Sequence, residues 1–391
     1  MTTTSVDRPQ TDASPGRPVV FLGPTLPVAE ARAVLDAEYL PPAQLGDVWR
    51  LSQERPPAIG LVDGYFDSVP AVWHKEVLYA LSTGIAVYGA ASMGALRAAE
   101  LAPFGMVAVG TIAEAFRSGE LTCDDEVALA HAAAEHDYLG FSEPLVNVRA
   151  TLAAAVSAGV VRRADAETVL AHAASLFYPD RRWEHLLGAV GLRPEAADAL
   201  RTWLPTGKVD QKAADARALL ARMRDDVVAP PGRGRTSGAG PTHAFTPTIL
   251  WAEVIRRETP VAAILEEFLL VDPLDPVVAA AVARSAGGEP VDWLAVLRDL
   301  PDWPERCRRA RRKAQARAAV PASPSAPGRA GAEGDDDDLL TWFFGERLGW
   351  PDDLGAFLRR RGWADPGVVL AIAAREAAFV GGPSPRHVHT V

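Results

Sequence analysis

The chain has 391 residues and a formal net charge of −10, with 40 Lys and Arg against 50 Asp and Glu. That acidic balance argues against a nucleic-acid binder, and two cysteines, Cys123 and Cys307, give neither a disulfide framework nor a metal quartet. With 48% hydrophobic residues the chain can bury a sizeable core, and its length predicts two or three units.

Residues 1–17 are rich in Thr, Pro, Asp and Gly, without an apolar signal core, and predict a disordered tail. No run reaches the ~20 apolar residues of a membrane span. Together with the cysteine usage this predicts a cytoplasmic protein with no membrane partner. A strand over 18–22 ends at Gly23-Pro24-Thr25, a helix follows at 28–37, and an extended piece lies near Tyr39-Leu40. A third strand, 58–62, ends at Asp63-Gly64. A helix is predicted over 69–82, with Ser68 as N-cap and Pro70 in its first turn. The strand 85–88, the helix 92–101 and a strand over 106–109 come next.

Strands alternating with helices predict an α/β fold, a mainly parallel Rossmann-like sheet in the N-terminal domain followed by an all-α C-terminal region. Helices are expected at 112–118, 124–136, 144–158, 164–177, 181–189, 194–203 and 209–225, then at 247–270, 274–285, 291–299, 304–317, 339–348, 352–361 and 366–379. The division expected is a tail at 1–17, an α/β core at 18–150, a helical extension at 151–228 and a linker at 229–242. A helical region at 243–318, a second linker at 319–337 and C-terminal helices at 338–391 complete it. Gly23, Thr25, Asp63, Gly64, Ser92, Gly110 and Thr111 all follow the carboxyl ends of strands, the edge where open α/β sheets bind ligands.

Ser92 is the first candidate. In IAVYGAASMGALRAAEL (85–101) it sits between a strand and a helix, in a loose relative of G-x-S-x-G with Ala90 in place of the first glycine. It can be a nucleophile with the Met93 amide as oxyanion donor, part of an anion cradle with Gly89, Met93 and Gly94, or a plain helix cap. His74 is either a general base or a surface histidine, and Asp63 either orients a histidine or makes an Asx turn. Asp124-Asp125-Glu126 suits a helix start electrostatically and also suits a metal or general-acid site. Asn147, Arg149 and Arg97 either grip an anion or make ordinary surface pairs. The basic run from Arg306 to Arg317 reads as a self-paired face, and no phosphate-loop, dinucleotide or HExxH motif is present.

Several segments carry a resemblance. FLGPTLP (21–27), PPAQLGD (41–47), VDGYFDSVPAVWHKEVLYAL (62–81), YGAASMGALRAAEL (88–101), FGMVAVG (104–110), DDEVALAH (124–131) and EPLVNVRATL (143–152) follow in that order. FYPDRRWEHLL and VDQKAADA continue it less diagnostically. Together they resemble the TfuA-like family over roughly residues 18–220. The resemblance implies a partner of YcaO enzymes in the biosynthesis of ribosomal peptides, supporting sulfur delivery for backbone thioamides. One form of that role is hydrolysis of a thiocarboxylated ubiquitin-like sulfur carrier. The implied partners are YcaO, that carrier and, indirectly, a precursor peptide; no cofactor or metal is implied. On that basis Ser92 attacks the acyl carbon or His74 activates water, Asp63 orients His74, and Lys75 or Arg97 holds the thiocarboxylate. Asp125, Glu126, Asn147 and Arg149 join the candidate substrate-binding set. The alternative is a non-catalytic adaptor or allosteric activator that docks on YcaO, including for azoline formation. A nucleotide- or phosphate-binding module is a third possibility.

Overall fold

The computed structural model describes residues 16–65, 69–228, 245–248 and 250–251, and also 303–305, 307–308 and 311–312. The chain divides into two units, Met1–Arg256 and Arg257–Val391. The first holds a five-stranded sheet of β1 (Val19–Phe21), β2 (Glu38–Leu40), β3 (Ala58–Leu61), β4 (Ala86–Gly89) and β5 (Val107–Ala108). All neighbours are parallel and the order is β2-β1-β3-β4-β5, with Val20 opposite Tyr39 and Gly60, and Gly60 opposite Tyr88. This is the parallel α/β sheet that the alternation of strands and helices predicts. Its strand order reverses between β1 and β3, so the carboxyl ends of those strands form the crevice at the switch point.

The strands are apolar on both sides because helices cover both faces. On one face Val19, Phe21, Ile59, Leu61 and Val87 pack against α2 (Asp47–Ser52), α3 (His74–Ser82) and α4 (Met93–Leu101). On the other, Val20, Ala58 and Tyr88 meet α1 (Val28–Val34) and α10 (Gln211–Val228). Ala216, Leu219, Leu220 and Met223 recur along α10 at spacings of three and four, which gathers them into one stripe on the sheet. Between α5 (Thr111–Ser118) and α10 lies a helical subdomain of α6 (Leu145–Ser157), α7 (Arg163–Ser175), α8 (Trp183–Leu186) and α9 (Pro194–Gly207). It closes over its own core of Leu145, Val148, Leu152, Val169, Leu186 and Leu200.

Three local expectations change. Helix α2 is additional, a six-residue element that Asp47 starts by accepting the Gln44 N–H at 2.9 Å. Helix α3 begins at His74 rather than 69, because Pro70 gives its carbonyl to the Leu45 N–H (2.9 Å) and the chain stays extended to Trp73. Residues 124–136 hold two 3₁₀ turns, Asp124–Glu126 and Ala134–His136, in place of a helix. Glu126 and Asp125 are drawn to arginines on other elements, and an antiparallel bridge ties His131 to Gly140.

In the second unit, positions 303–305, 307–308 and 311–312 are helical, and Arg308 and Arg312 both reach Glu305, at 2.7 and 3.2 Å. The tail 1–15, Ser68, the linkers and the other expected C-terminal helices lie outside the described residues, apart from the short pieces named above. Among the described residues no helix is long and apolar enough to cross a membrane.

Candidate active site

At the carboxyl edge of the sheet a cavity of about 290 Å³ is lined by Asp63, Gly64 and Tyr65 after β3, Ser92 after β4, the stretch Val127–His131, and Lys212 on α10, with Pro24, Pro42 and Tyr178 completing the wall. Two of its lining residues, Ser92 and Lys212, are nearly fully buried, at 4% and 2% exposed. Lys212 Nζ donates to Ser92 Oγ at 3.0 Å and to the Val127 carbonyl at 2.9 Å. Burial pulls the Lys212 ammonium below the ordinary lysine range, while the negative charges of Asp63 and Asp210 act in the opposite direction.

The turn that delivers Ser92 is sharp. Ala91 has φ +66, and the Ser92 N–H donates back to the Ala90 carbonyl at 2.8 Å, the bonding pattern of a γ-turn with a left-handed centre. Such a conformation costs about 1–3 kcal/mol at a non-glycine residue. Ser92 occupies the N-cap position of α4, yet its hydroxyl makes no capping bond. The plain-cap alternative for this serine is thereby removed, since the hydroxyl is turned to Lys212 instead. The first turn of α4 lies directly against β3: a Cβ on Gly94 would sit 1.7 Å from the Leu61 carbonyl oxygen. The Gly94 N–H is spent on Val62 O at 3.2 Å, so it is not a cradle donor, and Gly89 O accepts the Val109 N–H. The Met93 N–H, first of the helix, has no intrahelical acceptor by position.

Asp63 sits in the switch-point crevice and is 2% exposed. It accepts the Gly23 N–H (2.8 Å), the Thr25 N–H (3.1 Å) and the Thr25 hydroxyl (2.6 Å). The backbone donors that a phosphate would take at this crevice are already held by the protein's own carboxylate. Above it, Tyr65, His131 and Tyr138 form an aromatic rim, with ring centroids 6.4 and 5.7 Å apart in succession. Burial and the hydrogen-bonded Tyr65 push the Tyr138 hydroxyl up to about 12. His131 Nδ1 lies 2.7 Å from the Ala132 carbonyl, which can only accept, so Nδ1 is the donor of that contact.

The structure brings Ser92 and Asp63 to one cavity and leaves other candidates outside it. His74, expected as base, does not line the cavity; its Nε2 is 2.6 Å from Glu100 Oε2 on α4, and the ring is 40% exposed. Asp63 consequently orients the β1 loop rather than a histidine. Arg97 donates to the Val72 carbonyl and Glu100, and Lys75 to the Thr246 carbonyl. Glu126 takes a bidentate pair from Arg149, and Asp125 binds the fully buried Arg181. Asn147 is buried with both ends of its amide engaged near the start of α10. Among the described residues no cluster of three or more His, Cys, Asp or Glu is placed to hold a metal.

Lys212 is the residue that inspection of motifs misses. Two signals point to it. It heads the buried stripe Ala216, Leu219, Leu220 and Met223, where a cation is out of place. It is also one of four lysines, with Lys75, Lys208 and Lys313, among 40 basic residues.

Residues 63–182 match the family model described as TfuA-like protein. No curated protein matches the chain. Lys212 lies beyond the matched span. The ordered motifs and the match agree, and the chain is TfuA-like over residues 63–182, the stretch that carries Asp63 and Ser92.

Proposed function

We propose that this TfuA-like protein is an acyl hydrolase that releases sulfide from a thiocarboxylated ubiquitin-like carrier, for use by a YcaO enzyme in forming backbone thioamides. The reading is carried by one observation: Ser92 Oγ lies 3.0 Å from the amine of the buried Lys212, in the wall of a cavity. A serine is a poor nucleophile until a neighbouring base takes its proton, and a desolvated lysine is one of the few groups that can do so. Burial favours the neutral amine that the role requires.

The chemistry runs in two steps. The Lys212 lone pair takes the Ser92 proton as Oγ attacks the thiocarboxylate carbon, and the Met93 N–H steadies the tetrahedral oxyanion. The C–S bond then breaks and Lys212 returns the proton to sulfur, leaving hydrosulfide and an acyl ester on Ser92. In the second step Lys212 takes a proton from water as its oxygen attacks the ester. The C–Oγ bond breaks, Ser92 regains a proton, and the carrier leaves as a carboxylate with one proton released to solvent. The Val127 carbonyl holds one amine N–H throughout and so keeps Nζ beside Ser92 Oγ, where a small rotation about the Cε–Nζ bond exchanges N–H for lone pair.

The test uses the full chain with a thiocarboxylated carrier and no YcaO, reading sulfide. The wild-type protein releases it, and Ser92→Ala lowers the rate by about 10³-fold or more. Wild-type release no greater than the spontaneous rate overturns the hydrolytic reading and returns the role to docking on YcaO.

A further inference from the structure

Lys212 is the second residue of α10, and its position is set by the residues around that helix start. Asp210 precedes the helix and its Oδ1 accepts the Ala213 N–H at 2.9 Å, a side-chain cap. Asn147, on α6, bridges the same point from outside. Its Nδ2 donates to Asp210 Oδ1 at 3.0 Å, and its Oδ1 accepts the backbone N–H of Lys212 itself at 3.1 Å. One buried amide thus grips both the capping carboxylate and the main chain of the lysine. A helix end frays unless its N–H groups are satisfied, and a lysine side chain has four rotatable bonds along which small errors accumulate. The Asn147 clamp removes the first source of error, and the contacts to Ser92 and Val127 remove the second.

We propose that Asn147 and Asp210 form a positioning pair for Lys212, fixing where its amine meets Ser92 and keeping a negative charge within its reach. The proposal rests on the hydrolytic reading of Ser92 and Lys212. The amine touches Ser92 from the turn before α4 and the Val127 carbonyl, and the carboxylates of Asp63, at the end of β3, and Asp210, at the start of its own helix, act on it through space. Tyr65, His131 and Tyr178 share the cavity. Burial alone weakens the amine as a base. Asp63 and Asp210 act against that, both raising its proton affinity. Asp63 is already bound by three donors, whereas Asp210 is exposed and can be altered with little loss of packing.

Asp210→Asn is the discriminating variant, because asparagine caps a helix as well as aspartate does but carries no charge. The four lysines of the chain make a titration by NMR of ¹³Cε-labelled protein readable, with Lys212→Met assigning its signal. In Asp210→Asn the Lys212 midpoint falls by about half a pH unit. The acid limb of kcat/KM for sulfide release moves down with it, and the melting temperature stays near wild type. Asn147→Ala lowers kcat by roughly 10–100-fold with KM little changed, since the amide touches no substrate. A Lys212 midpoint unmoved in Asp210→Asn, or a wild-type kcat in Asn147→Ala, overturns the proposal. Wild-type protein that releases no sulfide defeats the hydrolytic reading alone, and the NMR midpoint still decides the pair.

Discussion

At residue 212 the proposed chemistry turns on the choice between two cations. The chain uses arginine for nearly all its positive charge, with only four lysines among its 40 basic residues. Arginine cannot give up its proton in a protein, whereas a buried lysine can. Lys212→Arg therefore keeps the charge and loses the base, and sulfide release falls by about 10³-fold or more; Lys212→Met does the same while preserving volume, which the same assay checks. A second buried ionisable group, Glu76, is fully buried and accepts the N–H groups of Trp73 (3.1 Å) and Trp49 (3.2 Å). Burial raises its carboxyl from 4.5 to about 7, and the backbone donors only partly oppose this. With the folded value above the unfolded one, the folded state holds the extra proton. The associated stability is full below about pH 4.5 and is lost as pH rises through about 7, a change on the order of 3 kcal/mol. Melting temperature measured from pH 5 to 8 declines in the wild type, and Glu76→Gln flattens that decline. Ser92 and Asp63 were legible from their places after strands, because strand ends are marked by local composition. Lys212 was not, since nothing within a window of sequence tells which side of a distant helix will meet them.

Elements carry the geometry that single residues exploit. Helix α4 can start where it does only because residue 94 lacks a side chain, with the Leu61 carbonyl 1.7 Å from where a Cβ would lie. Gly94→Ala pushes α4 off β3, and a urea titration reads a loss of more than about 2 kcal/mol. Helix α10 (Gln211–Val228) lies where the helix over 209–225 is expected, and Leu219→Ala on its buried stripe costs about 2–5 kcal/mol by the same measurement. The helix expected over 124–136 fails for a different reason. Its residues favour a helix locally, but Arg181 and Arg149 claim the Asp125 and Glu126 carboxylates, and Lys212 claims the Val127 carbonyl. Contacts from far along the chain override a local preference there, at the segment that walls the cavity.

The whole first unit is required to make the cavity, which takes walls from the loop after β1, the ends of β3 and β4, the 127–131 segment, the region of Tyr178 and the start of α10. A site assembled from such separate parts has no stable partial form. In a urea titration the loss of sulfide release and the loss of far-ultraviolet circular dichroism therefore coincide; activity lost well before the fold would show a site that opens on its own. The separation also orders events in time. Ser92 and Lys212 stand 120 positions apart, and at roughly 5–20 residues per second a ribosome adds the lysine some 6–24 seconds after the serine. Through that interval the growing chain carries the serine without its lysine. A nascent or truncated copy that ends before the tenth helix therefore holds Ser92 without the amine that it meets in the finished fold.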